Sequence, residues 1–182
     1  MEATALIIAE SGFSAATITR ITDHAGIALG TFYNYFESPE VIFAELVVDY
    51  GKRLRDSVRA ALPDNGDFFA REEAAFRAWF RFLHQHPFFL KVLNEAEIFS
   101  PPAFEAYFEA ITQGYRTVLT KAAAAGQIRQ LDQLEIETIT LMLMAQRTFY
   151  GLRLKSAIDR KGNIDQRIVE IYLDLLRRAL QP

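Results

Sequence analysis

Residues 17–36 constrain this chain more than any other stretch, because they specify two short helices and the sharp turn between them. Ile18, Ile21 and Ala25 recur at helical spacing and form one apolar stripe. Thr17 stands where its hydroxyl can accept from an orphan backbone N–H of the first helix. Gly26 supplies the positive φ that closes that helix at its C-terminal end. Ile27 and Phe32 then pack back onto the stripe. Thr31, Tyr33, Asn34 and Tyr35 are left with groups able to reach phosphate or base edges. The pattern is that of a helix-turn-helix, which places its second helix in a DNA groove. The competing reading, a helical corner in an unrelated bundle, has no need of this full set of side chains.

Gly12-Phe13, Thr17-Ile18, Ala25-Gly26-Ile27, Gly30-Thr31-Phe32-Tyr33, Phe36 and Ser38-Pro39-Glu40 follow one another in that order. In these positions the chain resembles the TetR family of transcriptional regulators. The resemblance implies a DNA-binding set of Thr17, Thr19, Arg20, Ala28, Leu29, Gly30, Thr31, Tyr33, Asn34 and Tyr35, with Thr17, Thr19 and Arg20 assisting at the DNA backbone. Two departures stand out. Pro39 replaces the Lys that usually opens the fourth helix and contacts phosphate. Ala28 stands where Ser or Thr commonly caps the recognition helix, a cap worth about 1 kcal/mol.

Charge runs against this reading. Residues 1–50 hold one basic side chain, Arg20, against seven acidic ones, a net charge of −6, and the remainder of the chain carries +3. Neutralisation of phosphates by Lys and Arg normally dominates affinity for DNA. The family has another turn or two and a basic arm ahead of Met1-Glu2-Ala3; either the natural start lies upstream or the arm is absent. Lys52, Arg53 and Arg55 can add positive potential from the far end of the fourth helix.

The chain has 182 residues, of which 51% are hydrophobic, enough for a sizeable core and against disorder. The absence of Cys excludes disulfides and thiolate metal sites. No secretory leader is legible, and charges interrupt every apolar stretch before it reaches membrane-spanning length. These features predict a cytoplasmic protein with no membrane partner.

Helical periodicity predicts an all-α chain of about nine helices, with no alternating period-two run. The expected spans are 2–11, 17–25, 28–35, Pro39 to about Leu62, Phe68 to His86, a short helix from Pro87 through Leu93, Ala103 to Ala125, 132–157 and 165–180. Ser38 caps the fourth helix and Pro39 sits at its first position, where a missing N–H costs nothing. Pro101-Pro102 reads as a break. The expected organisation is a helix-turn-helix DNA-binding domain over residues 1–47 and a ligand-binding and dimerisation domain over 48–182.

Thirteen rings lie between Phe68 and Tyr115, reading either as plain core or as the lining of a cavity among helices. The resemblance implies such a cavity. Its candidate lining is Trp79, Phe80, Phe89, Phe99, Phe104, Phe108 and Tyr115, with His84, Asn94, Glu95, Glu97 and Gln146 as polar anchors. The effector this implies is small and mostly apolar or aromatic. His84 and His86 point about 200° apart on a helix, which opposes a shared metal ion, and no metal or cofactor is implied.

The helix over 132–157 carries Leu134, Ile136, Ile139, Leu141, Met142, Leu143, Met144, Phe149, Leu152 and Leu154, apolar on more than one face. Together with the last helix it is either packed deep within one subunit or turned toward a partner. The resemblance implies a homodimer through both helices. The candidate interface is Met142, Phe149, Gly151, Leu152, Ile168, Ile171, Tyr172 and Leu175. The expected function is a ligand-responsive repressor that binds a near-palindromic operator in double-stranded DNA. The alternative is a ligand- or protein-binding dimer of the same fold with weak or lost operator binding. No nucleophile–base pair, phosphate loop or metal cluster suggests an enzyme.

Overall fold

The computed structural model describes residues 1–153 and 157–181. Its described residues form nine α-helices and one 3₁₀ turn: α1 (Glu2–Ser11), the 3₁₀ turn (Phe13–Ala15), α2 (Ile18–Ala25), α3 (Leu29–Tyr33), α4 (Pro39–Ala61), α5 (Phe68–Gln85), α6 (Phe89–Phe99), α7 (Pro101–Ala124), α8 (Gln133–Arg153) and α9 (Gln166–Leu180). The all-α expectation holds. The only β-type pairing among the described residues is an isolated antiparallel bridge between Ile158 and Ile164.

Several boundaries differ from the sequence reading. The recognition helix ends at Tyr33, so Asn34 and Tyr35 lie beyond it. The expected break between helices falls at Ser100, and Pro101 and Pro102 open α7 two residues before the expected start, because the first N–H groups of a helix have no intrahelical acceptor to lose. Leu154, expected inside the eighth helix, lies outside the described residues.

Two compact units share the chain. One comprises Met1–Arg53 and His86–Phe108, the other Leu54–Gln85 and Glu109–Pro182. The first therefore joins α6 to the N-terminal segment, a grouping that sequence order does not display.

In the first unit α1 buries Ala5, Ile7 and Ile8, and α6 buries Phe89, Leu90, Val92, Leu93 and Ala96. The early turns of α4 add Ile42, Phe43, Leu46, Val47 and Tyr50. The ring of Phe13 lies 4.5 Å from that of Phe43 and 5.0 Å from that of Phe99. Two side chains of α6 fasten the corner after α1. Lys91 Nζ donates to the carbonyl of Ala9 at 2.9 Å, and the Glu95 carboxylate accepts the N–H of Phe13.

In the second unit Phe68 and Phe69 of α5 meet Leu119, Ala122 and Ala123 of α7, Ile136 of α8 and Leu180 of α9. Asp132 and Glu135 form a reciprocal capping box at the start of α8. Glu135 N–H donates to Asp132 Oδ1 at 2.8 Å, and Asp132 N–H donates to Glu135 Oε2 at 2.9 Å. The loop before α9 needs Gly162. Its φ is +82°, and a Cβ there would stand 2.8 Å from that of His84.

Candidate nucleic-acid interface

The corner of α2 and α3 is built almost entirely from local chemistry. Thr17 Oγ1 accepts the N–H of Arg20 at 3.3 Å, capping α2. Gly26 adopts the left-handed conformation, φ 66° and ψ 33°, and its N–H reaches the carbonyl of Asp23 at 3.2 Å. The Ile27 N–H closes back on the Thr22 carbonyl at 3.0 Å. Phe32 anchors α3, with 1% of its surface exposed and its ring 5.7 Å from that of Phe36.

The apolar stripe differs in part from the sequence reading. Ile21 is buried, but Ala25 and Ile27 are exposed. Thr22 is buried instead, and its hydroxyl donates back toward the carbonyls of Ile18 and Thr19, so the polar side chain enters the core already satisfied. Ala28 precedes α3 with extended backbone and gives it no side-chain cap.

None of the ten candidate DNA-binding residues is buried. Thr17, Thr19, Ala28, Leu29, Gly30, Tyr33, Asn34 and Tyr35 are exposed, while Arg20 and Thr31 are partly covered. Arg20, the single cation of residues 1–50, is engaged within the unit: Nη2 donates to Ser11 Oγ at 3.0 Å and lies 3.7 Å from Glu10. Arg53, further along α4, pairs with Asp49 at 2.8 Å. At the start of α4 the Val41 N–H reaches Ser38 Oγ at 3.4 Å. The Ser38 hydroxyl and its own backbone N–H lower the pKa of Glu40, which keeps an anion in the first turn of α4.

The candidate effector residues fall in both units. In the first, Phe89 is buried edge-on to Tyr107 at 5.8 Å, and Phe104 and Phe108 pack at 4.6 Å. Phe99 packs on Phe13 as described, whereas Asn94 and Glu97 are exposed. Glu95, expected as an anchor, has its carboxylate on the Phe13 N–H. In the second unit Trp79 and Phe80 are buried edge-to-face at 4.9 Å, and Gln146 Nε2 donates to the Leu143 carbonyl at 3.3 Å. His84 is exposed over Gly162. Among the described residues no group of three or more His, Asp or Glu converges as a metal site would require.

Sequence reasoning missed the most polar feature of the second unit. Glu72 of α5, Arg147 of α8 and Tyr172 of α9 are all buried, and one oxygen of Glu72 accepts from both the Arg147 guanidinium and the Tyr172 hydroxyl. Phe76, one turn along α5, stacks on Tyr172 with centroids 4.3 Å apart and planes 16° apart. Tyr115 lies under the guanidinium, 5.5 Å from ring centroid to Cζ. Burial works to discharge Arg147, but the Glu72 carboxylate, with Tyr115 and Tyr172, outweighs it and holds the guanidinium's pKa above its ordinary value. Burial and the same carboxylate push the Tyr172 hydroxyl well above the usual phenol range. The signal was present in α5: Glu72 interrupts an apolar stripe at the helical step between Phe69 and Phe76.

The position of Tyr172 corrects its place in the interface set, because its side chain faces Glu72 and Phe76 within the chain. Met142, Phe149, Leu152, Ile171 and Leu175 are exposed, and Gly151 and Ile168 are partly covered. The apolar excess of α8 therefore resolves into two faces. Ile136, Thr140, Leu143 and Arg147 are buried, while Leu134, Leu141, Met142 and Phe149 are more than 60% exposed.

Among the described residues no helix is long and apolar enough to cross a membrane. Residues 1–46 match the model of bacterial regulatory proteins of the tetR family. The HTH-type transcriptional regulator YdgC of Bacillus subtilis (strain 168) is 37% identical over 78 residues, covering 41% of this chain and 40% of that protein. The match thus spans less than half the length of that curated relative. A ketosteroid transcriptional regulator of Mycobacterium tuberculosis shares the fold with a TM-score of 0.70 and 22% identity, over 100% of this chain and 92% of its own. The fatty acid degradation regulator FadR of Bacillus halodurans does so with a TM-score of 0.76 and 22% identity, over 96% and 90%. The TetR family regulator PfmR of Thermus thermophilus does so with a TM-score of 0.75 and 19% identity, over 97% and 96%. The family-model match covers residues 1–46, and the likeness of fold runs along the whole chain: the N-terminal segment is similar to bacterial regulatory proteins of the tetR family, and the chain shares its fold with solved regulators of that family.

Proposed function

We propose that this chain is a ligand-responsive transcriptional repressor that binds a near-palindromic operator as a homodimer and is released by a small, mostly apolar effector. The observation that carries this reading is the capped α2–α3 corner with Leu29, Tyr33, Asn34 and Tyr35 exposed on it. The exposed apolar face of α8 and α9 supports a dimer, since patches of that kind mark association surfaces. Two corners held roughly 34–36 Å apart read successive major grooves. An effector releases the operator only if it binds the non-reading spacing more tightly; equal affinity for both shifts nothing. The aromatic residues of α5, α6 and α7 support an apolar effector, as do similar folds named for ketosteroid and fatty acid degradation regulation. Such a regulator acts in the cytoplasm.

The charge balance favours a second reading, a ligand- or protein-binding dimer with weak operator affinity. Residues 1–50 carry −6, and their one cation is engaged by Ser11 and Glu10.

Fluorescence anisotropy with DNA from the chain's own upstream region, across a salt series, separates the two. The repressor reading expects saturable, sequence-preferring binding. With so few cations near the corner, the slope of log K on log salt should correspond to only about one or two phosphates per protomer. Tyr33→Ala should weaken operator binding at least about tenfold, with sedimentation still giving a dimer. Loss of both together makes Tyr33 structural. No preference over random DNA at low salt establishes the second reading.

A further inference from the structure

We infer that the effector is a neutral molecule carrying a ketone, ester or alcohol oxygen, and that α8 receives this oxygen through the Nε–H of Arg147 and the hydroxyl of Thr140. The inference rests on the ligand-responsive reading and names the chemistry of its ligand.

Thr140 and Arg147 lie about two turns apart on the buried face of α8, within the second unit. Thr140 is 0% exposed, yet its hydroxyl has no hydrogen-bond partner among the described residues. A threonine inside a helix commonly bonds the carbonyl one turn back, as Thr148 does on the same helix, with Met144 at 3.2 Å. Arg147 is committed on one side only. Its Nη2 donates to Glu72, and its buried Nε–H meets no acceptor among the described residues. Gln146 beside it donates from Nε2 to the Leu143 carbonyl, while its buried Oε1 accepts from nothing described. Three unmade bonds thus gather on one stretch of α8. A buried polar group without a partner is costly, and folded chains keep few of them. Their concentration here fits a site whose partner comes from outside the chain.

Glu72 sets the charge of that partner. Its carboxylate and the Arg147 guanidinium already balance each other in the interior, their side chains 5% and 8% exposed. An anionic effector would bury a second carboxylate against the same single guanidinium, without compensation for its lost hydration. A cation would face the charge of Arg147. A neutral oxygen accepts from Nε and leaves the balance intact. Rings set the body of the molecule: the guanidinium carbon lies 5.8 Å from the ring centroid of Phe76 and 5.5 Å from that of Tyr115. Such surroundings suit an apolar frame with one polar group that fixes its orientation.

The test uses the full chain without DNA, so its result is independent of operator binding, which the anisotropy series reads. Acetone and acetate, alike in size and different in charge, are titrated against protein carrying isotope-labelled arginine. Arg147→Lys keeps a charge opposite Glu72 and identifies the Arg147 Nε–H resonance by its loss. Acetone should shift that resonance saturably, at a concentration at least about tenfold below the one acetate requires. Thr140→Val removes the unmade hydroxyl at nearly constant shape. It should raise the thermal midpoint by about 2–4 °C and weaken acetone binding about fivefold. A hydroxyl that serves only the fold would instead lower the midpoint when removed. An Nε–H that acetone leaves unmoved, a stronger response to acetate, or a Thr140→Val protein no more stable than its parent overturns the inference. A protein that passes all three and still prefers no DNA sequence overturns the repressor reading while the site stands.

Discussion

The α2–α3 corner and the α5–α8–α9 junction hold their geometry by different means. At the corner, Thr17, Gly26 and Phe32 act over a few residues through one cap, one left-handed turn and one buried ring. At the junction, Glu72 meets Arg147 and Tyr172, 75 and 100 residues away along the chain. The corner keeps its candidate DNA-binding side chains, Leu29, Tyr33, Asn34 and Tyr35, outside its own framework, so they can change without altering the fold. The junction has no such freedom, since each of its polar groups is buried and depends on the others. In a fold built this way the exposed side chains of the corner can be substituted while the helices of the second unit stay fixed.

Breaking the junction should give the largest effect. Glu72→Ala leaves a buried guanidinium without its carboxylate and should destabilise the chain by roughly 3–5 kcal/mol, read as the shift in denaturant midpoint at constant m. A loss below about 1 kcal/mol would mean that the junction is no more demanding than a surface ion pair.

Sharpening the corner should give a smaller effect of opposite sign. Ala28→Ser supplies the missing cap of α3 and should stabilise it by about 0.5–1 kcal/mol. Slower hydrogen exchange at the first N–H groups of α3, with exchange in α8 unchanged, would locate the gain. Equal slowing in both would show that the corner does not behave as a local structure.

The smallest effect concerns His86, whose ring lies 5.2 Å from that of Tyr50 and 5.9 Å from that of Phe88. Burial, and then the charge of Arg53, lower its pKa, with Glu2 acting the other way. The unfolded chain therefore takes up this proton first. The contribution of the neutral imidazole is fully present above about pH 6.5, the unfolded value, and is lost as pH falls through the lower folded value. Denaturation between about pH 5.5 and pH 7.5, roughly one unit either side of that value, should show stability falling toward acid. His86→Gln should flatten that part of the curve, and a slope that survives the substitution assigns it to another group.

The corner was legible because its rules are local. The N-cap at Thr17, the αL glycine at Gly26 and the buried ring at Phe32 each follow from neighbours within a few residues. Where the local pattern erred, at Ala25 and Ile27, tertiary packing left apolar side chains outside and drew in Thr22, whose hydroxyl finds carbonyls within its own helix. Pro101 and Pro102 marked the break between α6 and α7 correctly but set the start of α7 two residues late, because proline fits the first turn of a helix as well as the gap before it. Tyr172 shares its side of α9 with Ile168 and Leu175, so periodicity alone placed it with them. Its hydroxyl and the lone carboxylate in the apolar stripe of α5 were complementary clues, but nothing local connects residues 100 positions apart.

The two donors at the junction arrive at the same oxygen of Glu72, and this makes that atom a common origin for the second unit. α8 and α9, which bear the exposed apolar face, both take their position from one point on α5. On α8 the exposed Met142 and Phe149 flank the level of Arg147, and on α9 the exposed Ile171 and Leu175 flank that of Tyr172. The exposed apolar residues of both helices thus share one buried polar anchor, and loss of that single carboxylate oxygen would loosen both supports at once.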